Sequence, residues 1–153
     1  MQDQGYIPKD LSFDSEAREK LISGISKISN AVKSTLGPQG QTVLIESAEH
    51  TQGLTVTKDG VTVAKSVFLI DPIENLAVRM MKQASEKTAN TAGDGTTTAI
   101  VLTEALVKAG LEHMSDDDNI IQVVREIRTE GDKLLGRIKD EAVKVTDEML
   151  EDI

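Results

Sequence analysis

The run Gly93-Asp94-Gly95-Thr96-Thr97-Thr98 concentrates more potential chemistry than any other segment of the chain. Two glycines let a backbone come close to a ligand, because no Cβ stands in the way. Three hydroxyls follow at what the pattern predicts to be the mouth of a helix. A helix N-terminus presents free N–H groups and the positive end of the dipole, a ready seat for phosphate. The carboxylate of Asp94 would repel a bare phosphate. It suits Mg²⁺, which takes one or two carboxylates together with phosphate oxygens. A Mg-nucleotide site is one reading and a polar helix–helix turn with a threonine cap is the other. Spacing by itself does not choose between them.

Two further loops carry residues such a site could use. Thr35-Leu36-Gly37-Pro38-Gln39-Gly40 is a second glycine-rich loop, and taken alone it reads as a helix stop. Lys58-Asp59-Gly60 taken alone reads as a hairpin turn. Asp59 could orient a water for attack on a phosphate, which spacing does not show. There is no G-x-x-x-x-G-K-[ST], and the third glycine of G-x-G-x-x-G is lacking after Gly95. P-loop and Rossmann readings therefore fail. His50 and His113 stand without metal-ligand spacing. Asp116-Asp117-Asp118 lacks the order of a calcium loop and reads as an acidic helix start.

The elements that must hold these loops follow from hydrophobic period and punctuation. Residues 1–13 read as an extended arm. Asp14 or Ser15 caps a helix whose apolar face carries Ala17, Leu21, Ile22, Ile25, Ile28 and Val32. Thr42–Ile45 and Leu54–Thr57 are short strands, the first with so little alternation that both faces are expected to be buried. Asp59-Gly60 is expected to turn the chain from Thr57-Lys58 into a further strand, Val61-Thr62-Val63. Pro72 opens a helix with Ile73, Leu76, Ala77, Met80, Met81 and Ala84 on one face. The 92–98 loop ends it, and an apolar helix follows through Val107. Ser115 with Asp116–Asp118 is expected to cap a helix carrying Ile120, Ile121, Val124, Ile127 and Leu134, interrupted at Gly131 or Gly136. Thr146-Asp147-Glu148 is expected to cap a last short helix. The fold class is thus mainly α, with a small β-hairpin or sheet element around residues 41–65.

The 153 residues suit one domain, and 39% of them are apolar, nearly all aliphatic, with two Phe, one Tyr and no Trp. Such a core suits packed helices. A net charge of −9 argues against nucleic acid as a partner. The chain has no cysteine, which excludes disulfides, thiolate catalysis and Cys-based zinc sites. No apolar run approaches the roughly 20 residues of a membrane span. The N-terminus resembles neither a secretory nor a mitochondrial leader. No membrane partner and a cytoplasmic location are expected.

Three segments in order resemble the group I chaperonins. Ala31-Val32-Lys33-Ser34-Thr35-Leu36-Gly37-Pro38-Gln39-Gly40 is similar to their AVK-x-TLGP-x-G, and Thr57–Lys65 to their TKDGVTVA. Ala92–Thr98 matches their AGDGTTT, and Glu74-Asn75-Leu76 also fits. The resemblance covers residues 12 to about 110. It implies a helical equatorial-domain portion of an ATP-driven, ring-shaped folding machine, usually of two stacked heptameric rings. Residues 1–140 would be the N-terminal part of the equatorial domain and 141–153 the start of the intermediate domain. Thr35, Leu36, Gly37 and Pro38 would flank the nucleotide, and Lys58 would lie near the phosphates and a K⁺ ion. Asp59 would orient the attacking water. Asp94 would carry Mg²⁺, with Gly93, Gly95, Thr96, Thr97 and Thr98 wrapping the phosphates. Identical ring subunits, unfolded client proteins and a co-chaperonin lid are the implied partners.

The chain is far shorter than a full subunit of that family, so either a piece of a longer protein or a short non-catalytic assembly module is expected. The isolated 153 residues are expected to be inactive as an ATPase. The stretch Glu46–Gly53 lacks the family's usual aromatic-glycine appearance, which fits a divergent member such as a phage-encoded one, in a bacterial or bacterial-host cytoplasm.

Overall fold

The computed structural model describes residues 14–46, 53–115 and 117–146. The expected arm at 1–13, His50, Asp116 and the last short helix after Thr146 lie outside them. The described elements run α1 (Asp14–Lys33), β1 (Val43–Glu46), β2 (Leu54–Thr57), α2 (Gly60–Ser66), α3 (Pro72–Ala92), α4 (Thr96–His113) and α5 (Ile120–Glu141). A mainly helical chain with one small sheet is what the hydrophobic period predicts. The chain forms two compact units, Met1–Glu112 and His113–Ile153. Among the described residues no helix is long and apolar enough to cross a membrane.

The first unit is organised around α1 and α3. Ile28 and Val32 of α1, Val63 and Ala64 of α2, Val78 and Met81 of α3 and Ile100 of α4 form one buried cluster. The crossing of α1 over α3 is tight at Gly24, where a Cβ would stand 2.3 Å from the carbonyl oxygen of Glu74. Any side chain there would push the helices apart. The Glu74 side chain reinforces the crossing, accepting hydrogen bonds from Ser23 Oγ at 2.7 Å and Lys27 Nζ at 2.6 Å. α3 starts as expected, with Pro72 in its first turn and Asp71 capping the N–H groups of Ile73 and Glu74.

β1 and β2 pair antiparallel, with Val43 opposite Thr57 and Glu46 opposite Leu54. β1 is not buried on both faces. Val43 and Ile45 are half-buried against the core, while Leu44 points outward and is 64% exposed. A two-stranded sheet has only one helical layer beneath it, so period-2 alternation is imposed even on an apolar run.

The expected strand Val61–Val63 is instead helix α2. Asp59 does not turn a hairpin. Its Oδ1 accepts the N–H of Val61 at 3.2 Å and its Oδ2 that of Thr62 at 3.0 Å. An aspartate before a glycine serves an N-cap as well as a tight turn, and here the cap wins over the β-propensity of Val61, Thr62 and Val63.

The buried face of α3 also differs from the expected one. Ala77 and Met81 are buried as predicted, but Leu76 and Met80 are more than half exposed, and Asn75, Val78 and Ser85 take their place. Asn75 is satisfied there, its Oδ1 accepting the N–H of Leu69 at 3.1 Å. In the second unit α5 is capped by Asn119, not Ser115. Ser115 and Asp118 close a turn of their own, the Ser115 N–H donating to Asp118 Oδ2 at 2.7 Å. Gly131 and Gly136 do not interrupt α5, which runs 22 residues. One central glycine costs a helix only about 1 kcal/mol.

Candidate functional site

The first loop begins where α1 runs out of helical partners. Thr35 donates both its N–H, at 3.0 Å, and its Oγ1, at 2.8 Å, to the carbonyl of Val32. The loop is then pinned shut by the Gly40 N–H on the Gly37 carbonyl and the Gln41 N–H on the Ser34 carbonyl, at 3.0 and 2.7 Å. Gly37 lies at φ 78°, in the left-handed region that glycine adopts freely.

The second segment is the cap of α2. Beyond the two backbone bonds, Asp59 Oδ2 accepts Thr62 Oγ1 at 2.6 Å. That side-chain bond outweighs the opposing effect of burial, and with the backbone bonds and Lys65 it holds the Asp59 carboxyl below the usual carboxylate value.

The third segment is the hinge between α3 and α4. Gly93 closes α3 at φ 77°, its N–H on the Ala89 carbonyl at 2.8 Å, and Gly95 follows at φ 82°. Asp94 Oδ1 accepts the Gly95 N–H at 2.6 Å. α4 then starts at Thr96, as the helix-mouth reading predicts.

These three segments meet. A Cβ on Gly60 would stand 2.2 Å from Thr97 Oγ1 and 3.1 Å from Thr35 Oγ1. One residue from each of the other two segments therefore approaches the buried glycine of the second, and only a hydrogen at that position leaves room for both threonines. Around the junction the backbone is open: a Cβ at Gly37 or Gly93 would meet nothing within 4 Å. Leu36, Pro38, Lys58, Asp94 and Thr98 are exposed, Thr96 is buried, and Thr97 is half-buried.

The donor set fits a magnesium-bound polyphosphate. Among the described residues no three His, Cys, Asp or Glu side chains cluster to form a protein-only metal cage. One exposed carboxylate, Asp94, beside left-handed glycines and threonine hydroxyls matches a cation that draws its remaining ligands from phosphate and water.

A cleft of about 210 Å³ opens nearby between α2, α3 and the start of α4, with Val61 and Thr96 in its wall. Gly37, Asp59 and Asp94 do not line it, so it is a neighbour of the junction and not the junction itself. Burial lowers the pKa of Lys82 at its edge, against the pull of Glu86, and Lys82 Nζ donates to the Lys65 carbonyl at 2.7 Å.

One residue escaped the sequence reading altogether. Glu104 of α4 is 1% exposed and carries ion pairs to Lys33 at the end of α1 and to Lys108 on its own helix. Its period places it on the inner face of α4, beneath Thr97 and Ile100, and that spacing was the available signal.

The profile of the TCP-1/cpn60 chaperonin family matches residues 28–153. Among solved structures, the chain is similar to the chaperonin gp146 from the bacteriophage EL 2 (Pseudomonas aeruginosa), crystallised in the presence of ATP-BeFx. In one crystal form the identity is 33% and the TM-score 0.73, over 86% of this chain. In the other they are 34% and 0.69, again over 86%. The chain spans only 22% and 23% of the length of those chaperonin chains. With the three motif segments gathered on Gly60 and the profile covering all three, the chain belongs to the TCP-1/cpn60 chaperonin family.

Proposed function

We propose that this chain is the nucleotide-binding, N-terminal portion of an ATP-dependent chaperonin subunit. The observation that supports it is the approach of Thr35 and Thr97 to Gly60, which brings three loops of distinct chemistry near one another. That the similar phage chaperonin was crystallised with ATP-BeFx supports the choice of ligand.

On this reading, backbone N–H groups around Gly37, Gly93 and Gly95 and the hydroxyls of Thr96, Thr97 and Thr98 hold the phosphates. Leu36 and Pro38 flank the nucleotide, and Lys58 balances charge beside a K⁺ site. Asp94 holds Mg²⁺, which supplies neutralisation of the phosphate charge. Asp59 positions the attacking water by accepting its hydrogen bond. Its depressed pKa makes it a poor proton acceptor at neutral pH, so orientation is its contribution and not proton abstraction. Residues 1–140 belong to the equatorial domain and 141–153 begin the intermediate domain. The complete subunit assembles with identical copies into rings, in a bacterial or phage-infected cytoplasm. It acts on unfolded clients, with a lid protein as further partner.

Calorimetric titration of the chain with Mg-ATP tests the reading. Saturable binding that falls at least about tenfold without magnesium is expected. A chain that binds equally with and without the metal would overturn it.

A further inference from the structure

The two glycine-rich loops are far apart in sequence yet must keep a fixed separation to grip one ligand. The stripe Thr97, Ile100 and Glu104 of α4 recurs at three and four residues, so it lies on one face of the helix. Each member engages the rest of the first unit differently. Thr97 lies against Gly60, which Thr35 also approaches, Ile100 joins the core with Ile28 and Val32, and Glu104 pairs with Lys33. Lys33 is the last residue of α1, two positions before Thr35. The carboxylate is buried, 2% exposed in its side chain, whereas Lys33 and Lys108 are 42% and 46% exposed. Glu104 Oε2 accepts from Lys33 Nζ and Oε1 from Lys108 Nζ, so both oxygens are used. The Lys108 bond lies within α4 and ties nothing together. Beside the apolar contact of Ile100, the Lys33 bond is a polar link between the helix that ends at the first loop and the helix that begins at the second, and it lies at the loop end of α1.

We infer that Glu104, through Lys33, is a positioning residue that holds the Thr35–Gly40 loop at its working distance from the Gly93–Thr98 loop. The inference rests on the proposed nucleotide site only for its consequence; the clamp itself is a matter of the two helices. Without Glu104, two ammonium groups would face each other across the same gap, and the last residue of α1 would lose its polar hold on α4, leaving only the apolar contact of Ile100. Losing a buried ion's partner is far more costly than losing an exposed pair.

The absence of native cysteine makes the test direct. Paired cysteines at Gln39 and Ala92, both exposed, carry spin labels that report the loop separation. A second pair at Arg18 and Gln83, also exposed, reports the α1–α3 packing. Pulsed dipolar spectroscopy on the full chain is expected to give a narrow loop distance. Lys33→Met should broaden and lengthen that distance by a few ångströms while the Arg18–Gln83 distance stays put. Lys33→Met removes only the half-exposed cation, so it keeps the test alive if Glu104→Ala does not fold. Lys33→Arg, which retains the charge, should restore the narrow distribution. Mg-ATP affinity should fall about tenfold in Lys33→Met and recover in Lys33→Arg. An unchanged loop distance in Lys33→Met overturns the clamp, as does equal broadening of both label pairs, which would mark a general loosening. If the unaltered chain binds no Mg-ATP, the nucleotide reading falls, while the two label distances still decide the clamp.

Discussion

At the scale of single residues, Asp59 and Asp94 differ in how much of each carboxylate is already spent. Asp94 is exposed and holds one local N–H, leaving an oxygen for a cation. Asp94→Asn keeps the shape and the Gly95 contact but loses the charge. Mg-ATP binding is expected to weaken at least about tenfold, with Mg-free nucleotide binding little changed, as a titration in both conditions would show. Asp59 is committed to α2 through three accepted hydrogen bonds, so its replacement has two consequences. Asp59→Ala should cost about 1 kcal/mol of stability in denaturant melts, as loss of an N-cap does. Asp59→Asn keeps one accepting oxygen and so much of the cap, since asparagine is itself a good N-cap residue. In the complete subunit it should still slow ATP hydrolysis, by about 10²-fold if water orientation is its task, the usual cost of a misplaced reactant. Full turnover in Asp59→Asn together with reduced stability in Asp59→Ala would leave Asp59 a helix cap alone.

At the scale of elements, the weak points are where helices come closest. Gly24→Ala places a methyl group 2.3 Å from backbone, which cannot rotate aside. The α1–α3 crossing must open, at a cost of about 1–3 kcal/mol by the usual penalty for overpacking; a melt unchanged from the parent would contradict the crossing. The same helices are sensitive to acid. Burial alone would raise the Glu104 carboxyl, but the hydrogen bonds and charges of Lys108 and Lys33 outweigh it and hold it below 4.5. Lys27 and then Ser23 do the same for Glu74. Unfolded, both glutamates bind protons more tightly than they do in the folded chain. Their contribution is therefore complete above about pH 4.5 and is lost as the pH falls through the lower folded values. Thermal melts should fall steeply below that pH. Lys33→Met should flatten the fall, since Glu104 then has less to lose.

At the scale of the whole molecule, the amount of uncovered apolar surface decides behaviour. The 22-residue α5 has no buried residue, and Ile120, Val124, Ile127, Leu134 and Ile138 recur along it at helical spacing. On the hairpin Leu44, Leu54 and Val56 also face outward. Exposed faces of this kind favour association. The purified 153-residue chain is expected to exceed its 16.5 kDa monomer mass in light scattering, increasingly so with concentration. Ile127→Glu with Leu134→Glu should return it toward the monomer. Phosphoryl transfer needs nucleotide, metal and water held together away from bulk solvent. The chain spans under a quarter of the similar phage chaperonin, so steady-state ATP hydrolysis by it should be negligible. A monomer turning over ATP with magnesium at the rate of a complete chaperonin would refute both expectations.

The order of the four long helices was legible in the sequence because their signals are local. Pro72, the Gly93 stop and the period of α1 and α5 each act within a few residues. The candidate site residues were legible as types, since glycines, a carboxylate and hydroxyls in a row suggest their own chemistry. Asp59-Gly60 was not, because the same dipeptide starts a helix or turns a hairpin, and the choice depends on the room Gly60 finds between Thr35 and Thr97. Nor was the face of α3, where Asn75 is buried against the Leu69 backbone and Ser85 beside Thr96 while Leu76 and Met80 stay outside. The spacing of Glu104 marks its face of α4 but not its role: a charged residue on an apolar helix gains meaning only when Lys33, 71 positions earlier, is brought to it. Residue types and short-range periods declare which chemistry is available. Which of those groups meet, and which are spent on holding the others in place, is set by long-range packing, where burial makes each partner necessary.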